Sequence, residues 1–134
     1  MKLEAYNLTL IALASMSLLV LIQQFIAATA KNVIAKGTAG VPVATGHDDI
    51  TFRAERAHYN TLENLLPFVL VAGLAVVVGV SPWWANLLAM VFLGARVAHT
   101  AVYYADLRPI RTLCFFVGFL SNIALGVMAL LKLF

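Results

Sequence analysis

Charge is what this sequence has least of. Only 11% of its 134 residues are Asp, Glu, Lys or Arg, less than half the share of an ordinary soluble domain, and that scarcity excludes a solvated globular surface or any large soluble domain. Cysteine is nearly missing as well. Cys114 stands alone in an apolar stretch, which excludes an internal disulfide framework and a cysteine metal site. His58 and His99 lack a third ligand at metal spacing, so no metal site is expected. The basic residues give a net charge of +3 and a pI near 9.3, yet they are few and sit at the ends of apolar runs. They set membrane topology rather than bind nucleic acid. What fills the chain instead is hydrocarbon: 63% of residues are hydrophobic and the mean hydropathy is +0.94.

Four apolar stretches follow one another. Ala5 to Ala30 is uncharged for 26 residues, longer than the roughly 7 to 15 of a signal-peptide core, so it reads as a retained span although Ala28-Thr29-Ala30 imitates a cleavage site. Residues 31–55 hold Gly37, Gly40, Pro42, Gly46 and half of the acidic side chains and read as the one long exposed loop. Asn64 to Ala95 is uncharged for 32 residues, broken at Gly79-Val80-Ser81-Pro82. Pro82 suits a first helical turn, and Trp83-Trp84 suits a membrane interface. Two spans need about 40 residues, so this hairpin must draw Arg56 to Glu63 and Arg96 to Tyr103 toward the bilayer. The expected architecture is an all-α integral membrane protein, a single domain over residues 1–134 forming a four-transmembrane-helix bundle, with spans at about 5–30, 57–79, 82–104 and 109–132. Lys31, Lys36, Arg53, Arg56, Arg96, Arg108 and Arg111 fall on one face against Lys2 and Lys132 on the other, which places loop 31–55 in the cytoplasm.

The charged residues within the spans are patterned. Arg53, Arg56, Asn60 and Glu63 share one face of the second helix, and Arg96, His99 and Tyr103 share one face of the third, with Arg108 and Arg111 at the entrance of the fourth. Charges at bilayer depth cost several kcal/mol unless paired, so these stripes should face the bundle interior or a neighbouring subunit. Glu63 is expected to answer one or more arginines, and Gln23, Ser121 and Asn122 to bond between helices. Arginines outnumber the single carboxylate deep in the span. An anionic ligand carrying a carboxylate or thiolate would balance them; pairing among the residues themselves, serving only to lock helix register, is the structural alternative.

The stretch Arg56-Ala57-His58-Tyr59-Asn60-Thr61-Leu62-Glu63-Asn64-Leu65-Leu66-Pro67-Phe68 resembles the second-helix signature of the MAPEG family, the membrane-associated proteins of eicosanoid and glutathione metabolism, and is closest to its microsomal glutathione transferases. Arg96-Val97-Ala98-His99-Thr100-Ala101-Val102-Tyr103 and Arg108-Pro109-Ile110-Arg111 resemble the third helix and the entrance of the fourth. The resemblance implies a homotrimer with glutathione as co-substrate, held between neighbouring subunits near the cytoplasmic face. Carried over by position, it assigns glutathione binding to Lys31, Arg56, Asn60, Glu63, Arg96, His99, Tyr103 and Thr112, and places Arg111 beside the glutathione sulfur as the catalytic residue. Thr112 and Phe115 stand where the prostaglandin synthase branch has serine and tyrosine, and Asn64 where the leukotriene C synthase branch has tyrosine. The resemblance therefore favours a general detoxifying transferase or peroxidase that directs the glutathione thiolate at hydrophobic electrophiles or lipid hydroperoxides from the bilayer. The alternatives are a noncatalytic lipid-binding or scaffold member of the same family and, less favoured, a small transporter, for which the far halves of the helices offer little polar path.

Overall fold

The structure, a computed structural model, describes residues 3–134; Lys2, counted above on the terminal face, lies outside the described residues. Its framework is four helices: α1 (Asn7–Thr29), α2 (Ile50–Val77), α3 (Pro82–Tyr104) and α4 (Arg108–Leu131). A short 3-10 turn, Leu3–Tyr6, leads into α1, and a π-helical turn, Ala30–Ile34, extends it. All four are long and apolar enough to cross a membrane.

Local chemistry sets the boundaries. Pro82 occupies the first turn of α3, where its missing N–H would have had no intrahelical partner. The tight turn before it passes through Gly79 at φ +73°, a left-handed conformation that glycine adopts without steric cost. The start of α2 differs from expectation. The helix begins at Ile50 instead of near residue 57 because Asp49 caps it: one carboxylate oxygen accepts the Thr51 N–H at 2.7 Å, and the Asp49 carbonyl accepts the Arg53 N–H at 3.1 Å. The charged segment from Arg53 to Arg56 is therefore helical, and the irregular part of the loop ends at Asp49.

The Thr51 N–H also holds the Asp49 carboxyl below the usual carboxylate range. A depressed folded-state pKa makes this contribution fully present above the ordinary carboxylate value and lost as pH falls through the lowered one. Asp49→Ala is expected to speed amide hydrogen exchange from Thr51 to Arg53 while the middle of α2 stays protected. Unchanged exchange at those amides would mean the cap does not hold the helix start.

The bundle closes on small residues. Ala72, Ala75, Ala85, Ala89 and Ala129 are fully buried, which lets the helix backbones approach closely where lipid offers no hydrophobic drive toward association. Phe68 of α2 and Phe92 of α3 stack at the centre with ring centroids 4.1 Å apart. At the terminal face the Tyr6 hydroxyl donates to the Val80 carbonyl at 2.6 Å, and Asn86 accepts from Thr9 and donates to the Ala5 carbonyl. Ser121 does not reach another helix as expected. It donates to the Gly118 carbonyl of its own turn at 2.8 Å, the local competition open to a helical serine. Asn122 forms no interhelical bond either; its Oδ1 is buried without a partner. Outward, Leu18, Phe25, Leu70 and Leu120 are exposed, a surface suited to acyl chains.

Candidate functional site

The polar half of the bundle is organised by α3. Arg96, His99, Thr100 and Tyr103 lie on one helical face and are all buried, with Arg96 only 1% exposed. The Arg96 Nη2 donates to Asn60 Oδ1 at 2.7 Å and to Thr61 Oγ1 at 3.1 Å. From α1, the Gln23 amide donates to Thr61 Oγ1 at 3.0 Å and to Thr100 Oγ1 at 2.7 Å. Each threonine in turn donates to the carbonyl four residues back, Ala57 and Arg96 respectively. Three helices are thus pinned around a guanidinium whose partners are neutral oxygens. Arg96 Nε and His99 Nδ1 are buried with no partner among the described residues, so the site retains hydrogen-bonding capacity that these residues leave unused.

Thr61 is the joint of this network, since it serves α1, α2 and α3 together. Thr61→Val keeps the shape and removes the oxygen, and is expected to cost about 1 kcal/mol in unfolding by denaturing detergent. Wild-type stability would show that the network is not shared.

Toward the loop face the same helix carries a second group. The Arg111 guanidinium lies over the Tyr103 ring, 4.5 Å from its centroid, a cation–π arrangement. Its Nη1 is 3.5 Å from Nδ1 of His47, a loop residue whose ring packs edge-on against Phe52 at 5.1 Å and lies 6.0 Å from the Tyr103 ring. His99 completes the row, its ring 5.4 Å from that of Tyr103. Arg53 does not join the outer stripe of α2. It donates to the His47 carbonyl at 2.6 Å and to the Tyr104 carbonyl at 3.2 Å, fastening the loop to the otherwise open C-terminal end of α3.

Asn60 and Arg96 touch, and His99, Tyr103 and Arg111 form a continuous row. Lys31, Arg56, Glu63 and Thr112 stand apart. Lys31 bonds the Val41 carbonyl and lies 3.9 Å from Glu55, beside a pocket of about 300 Å³ that also takes in Gln24, His58 and Tyr59. Arg56 and Glu63 are exposed on the outer side of α2, two turns apart. Glu63 acts on Arg96 through its charge but contacts no arginine: among the described residues the ion pairs are Lys31–Glu55, Arg108–Asp48 and Arg108–Asp106. The reason is geometric, because Asn60, on the inner edge of the stripe, takes the contact with Arg96 and leaves its outer members facing away. Thr112 is exposed, its hydroxyl bonded to the Arg108 carbonyl at 3.3 Å. Arg108 in turn holds the Asp106 carboxyl below its usual range.

The network also contains residues that sequence patterning does not single out. Thr61 and Thr100 read as neutral members of apolar helices; a signal existed in their positions, one residue after Asn60 and four after Arg96. His47 carried none, because its place depends on the path of an irregular loop.

The MAPEG family profile matches residues 6–131, a range that takes in all four helices. The chain belongs to the MAPEG family. With four helices of spanning length and composition, it is a multi-pass membrane protein. It is 44% identical over 73 residues to microsomal glutathione S-transferase 1 of Homo sapiens, covering 54% of this chain and 47% of that protein. The transferase of the same name from Rattus norvegicus is 40% identical over a stretch of the same length. Prostaglandin E synthase of Homo sapiens is 36% identical over 77 residues, 57% of this chain and 51% of that protein. Each match spans about half of the MAPEG relative concerned.

Proposed function

We propose that this MAPEG protein is a glutathione-dependent membrane transferase with peroxidase capacity, which ionises the glutathione thiol and directs it at hydrophobic electrophiles or lipid hydroperoxides. The observation that carries this reading is a set of cations held by neutral groups: Arg96 by amide and hydroxyl oxygens, Arg111 by an aromatic face and an imidazole. A site that only locked helices together would match its arginines with carboxylates. This one keeps positive charge available for a ligand that brings its own carboxylates and thiol.

Arg111 stabilises the thiolate in this scheme. Arg96, Asn60, His99 and Tyr103 line the inner wall, and Arg56, Glu63, Lys31 and Thr112 bind from surfaces that one subunit leaves open. Arg56 and Glu63 are exposed on a membrane-spanning helix, a costly position in lipid. That exposure supports a homotrimer in which each site lies between neighbouring copies, at the cytoplasmic face. The names of the relatives add a glutathione transferase and a prostaglandin synthase, and the departures at Thr112 and Phe115 favour the first chemistry.

The test is a titration of the purified protein with glutathione, following the ultraviolet absorbance of the thiolate, together with turnover of an aryl halide and a lipid hydroperoxide. Saturable thiolate formation and turnover of either substrate are expected. Absence of both would overturn the enzyme reading in favour of a scaffold.

A further inference from the structure

The loop between α1 and α2 reaches the polar row through a single side chain. His47 is half-buried, seated against Phe52 and Tyr103, and its main-chain carbonyl is held by Arg53. Arg53 is in turn anchored on the Tyr104 carbonyl, so the position of His47 is fixed from α2 and α3 rather than left to the loop. Its Nδ1 faces the Arg111 Nη1 at 3.5 Å. A guanidinium has five donors and no acceptor. Taken as a hydrogen bond, the contact needs a lone pair on Nδ1, which corresponds to the Nε2–H tautomer.

We infer that His47 is a positioning residue for Arg111: a neutral acceptor that holds the guanidinium over the Tyr103 ring without cancelling its charge. This rests on the reading that Arg111 stabilises the glutathione thiolate. The choice of residue type follows from that task. A carboxylate in the same place would hold Arg111 more tightly but neutralise it, and the thiolate would lose the charge that favours it. An imidazole occupies one donor and leaves the remainder and the full charge for the sulfur.

The experiment uses the full-length protein with glutathione as the probe. His47→Ala is expected to lower the thiolate fraction at neutral pH about fivefold, the worth of one modest hydrogen bond, with glutathione affinity little changed. His47→Asn restores most of that loss, because its amide oxygen accepts in place of Nδ1. His47→Asp binds glutathione but forms the least thiolate of the three. Nitrogen NMR of ligand-free protein should show His47 as the Nε2–H tautomer. A wild-type thiolate fraction in His47→Ala, an Asn variant as impaired as Ala, or an Nδ1–H tautomer overturns the inference while the function proposed above stands. A wild type that binds glutathione without forming thiolate overturns both.

Discussion

Arg111→Ala is expected to abolish most thiolate formation while glutathione still binds. A free thiol has a pKa of about 8.5, and bringing it to about 6.5 requires roughly 2.7 kcal/mol of preference for the thiolate. One guanidinium in a partly dry site can supply that. Arg111 is suited to the proposed role because Tyr103 and His47 contact it without a carboxylate pairing its charge. Its removal should shift the thiolate titration about two pH units upward and lower the thiolate fraction at neutral pH roughly twentyfold. Arg111→Lys should fall between the two, since an ammonium keeps the charge but lacks the planar face that lies on Tyr103. The measurement is absorbance against pH with saturating glutathione. A variant whose curve superimposes on that of wild type would remove Arg111 from the chemistry.

Arg96→Leu should weaken glutathione binding about a hundredfold without lowering the stability of the fold. A charge-assisted pair of hydrogen bonds contributes about 1.5 to 3 kcal/mol when its partner is lost. Stability should respond little, because relief of the buried guanidinium's desolvation is set against the bonds that Asn60 and Thr61 lose. Thr61 and Thr100 keep their bonds to Gln23 in the variant. Calorimetric binding together with detergent unfolding separates the two roles. Unimpaired binding with a collapsed unfolding midpoint would make Arg96 a strut rather than a ligand contact.

The limits of the sequence reading can be traced to particular residues. α3 and α4 were legible because proline marks their starts and uninterrupted apolar runs fill them. The beginning of α2 was legible only in part: Arg53 and Arg56 were placed on its stripe, but the loop was carried through residue 55, whereas the helix start is decided by the Asp49 cap, which does not depend on hydrophobicity. Arg96, His99 and Tyr103 were visible as a stripe, since charge in a span demands an inward face. Their partners were less visible: Asn60 reached Arg96, but Glu63 on the same stripe did not, a difference of helical rotation that residue spacing alone does not resolve. Arg53 left the stripe because an open carbonyl at the end of α3 lay within its reach. His47 owes its place to Arg53, which holds its carbonyl against the end of α3, and no local pattern in the loop encodes that contact.

The outward charges on α2 have a cellular consequence. In the proposed trimer, a copy that has met no neighbour would present Arg56 and Glu63 to acyl chains, and each such charge carries a penalty of a few kcal/mol even on insertion scales. On that proposal such an orphan would be open to membrane quality control, and the amount of protein that accumulates should depend on how quickly copies meet as well as on how fast they are synthesised. Neutral substitution of both residues would then lengthen the lifetime of solitary chains.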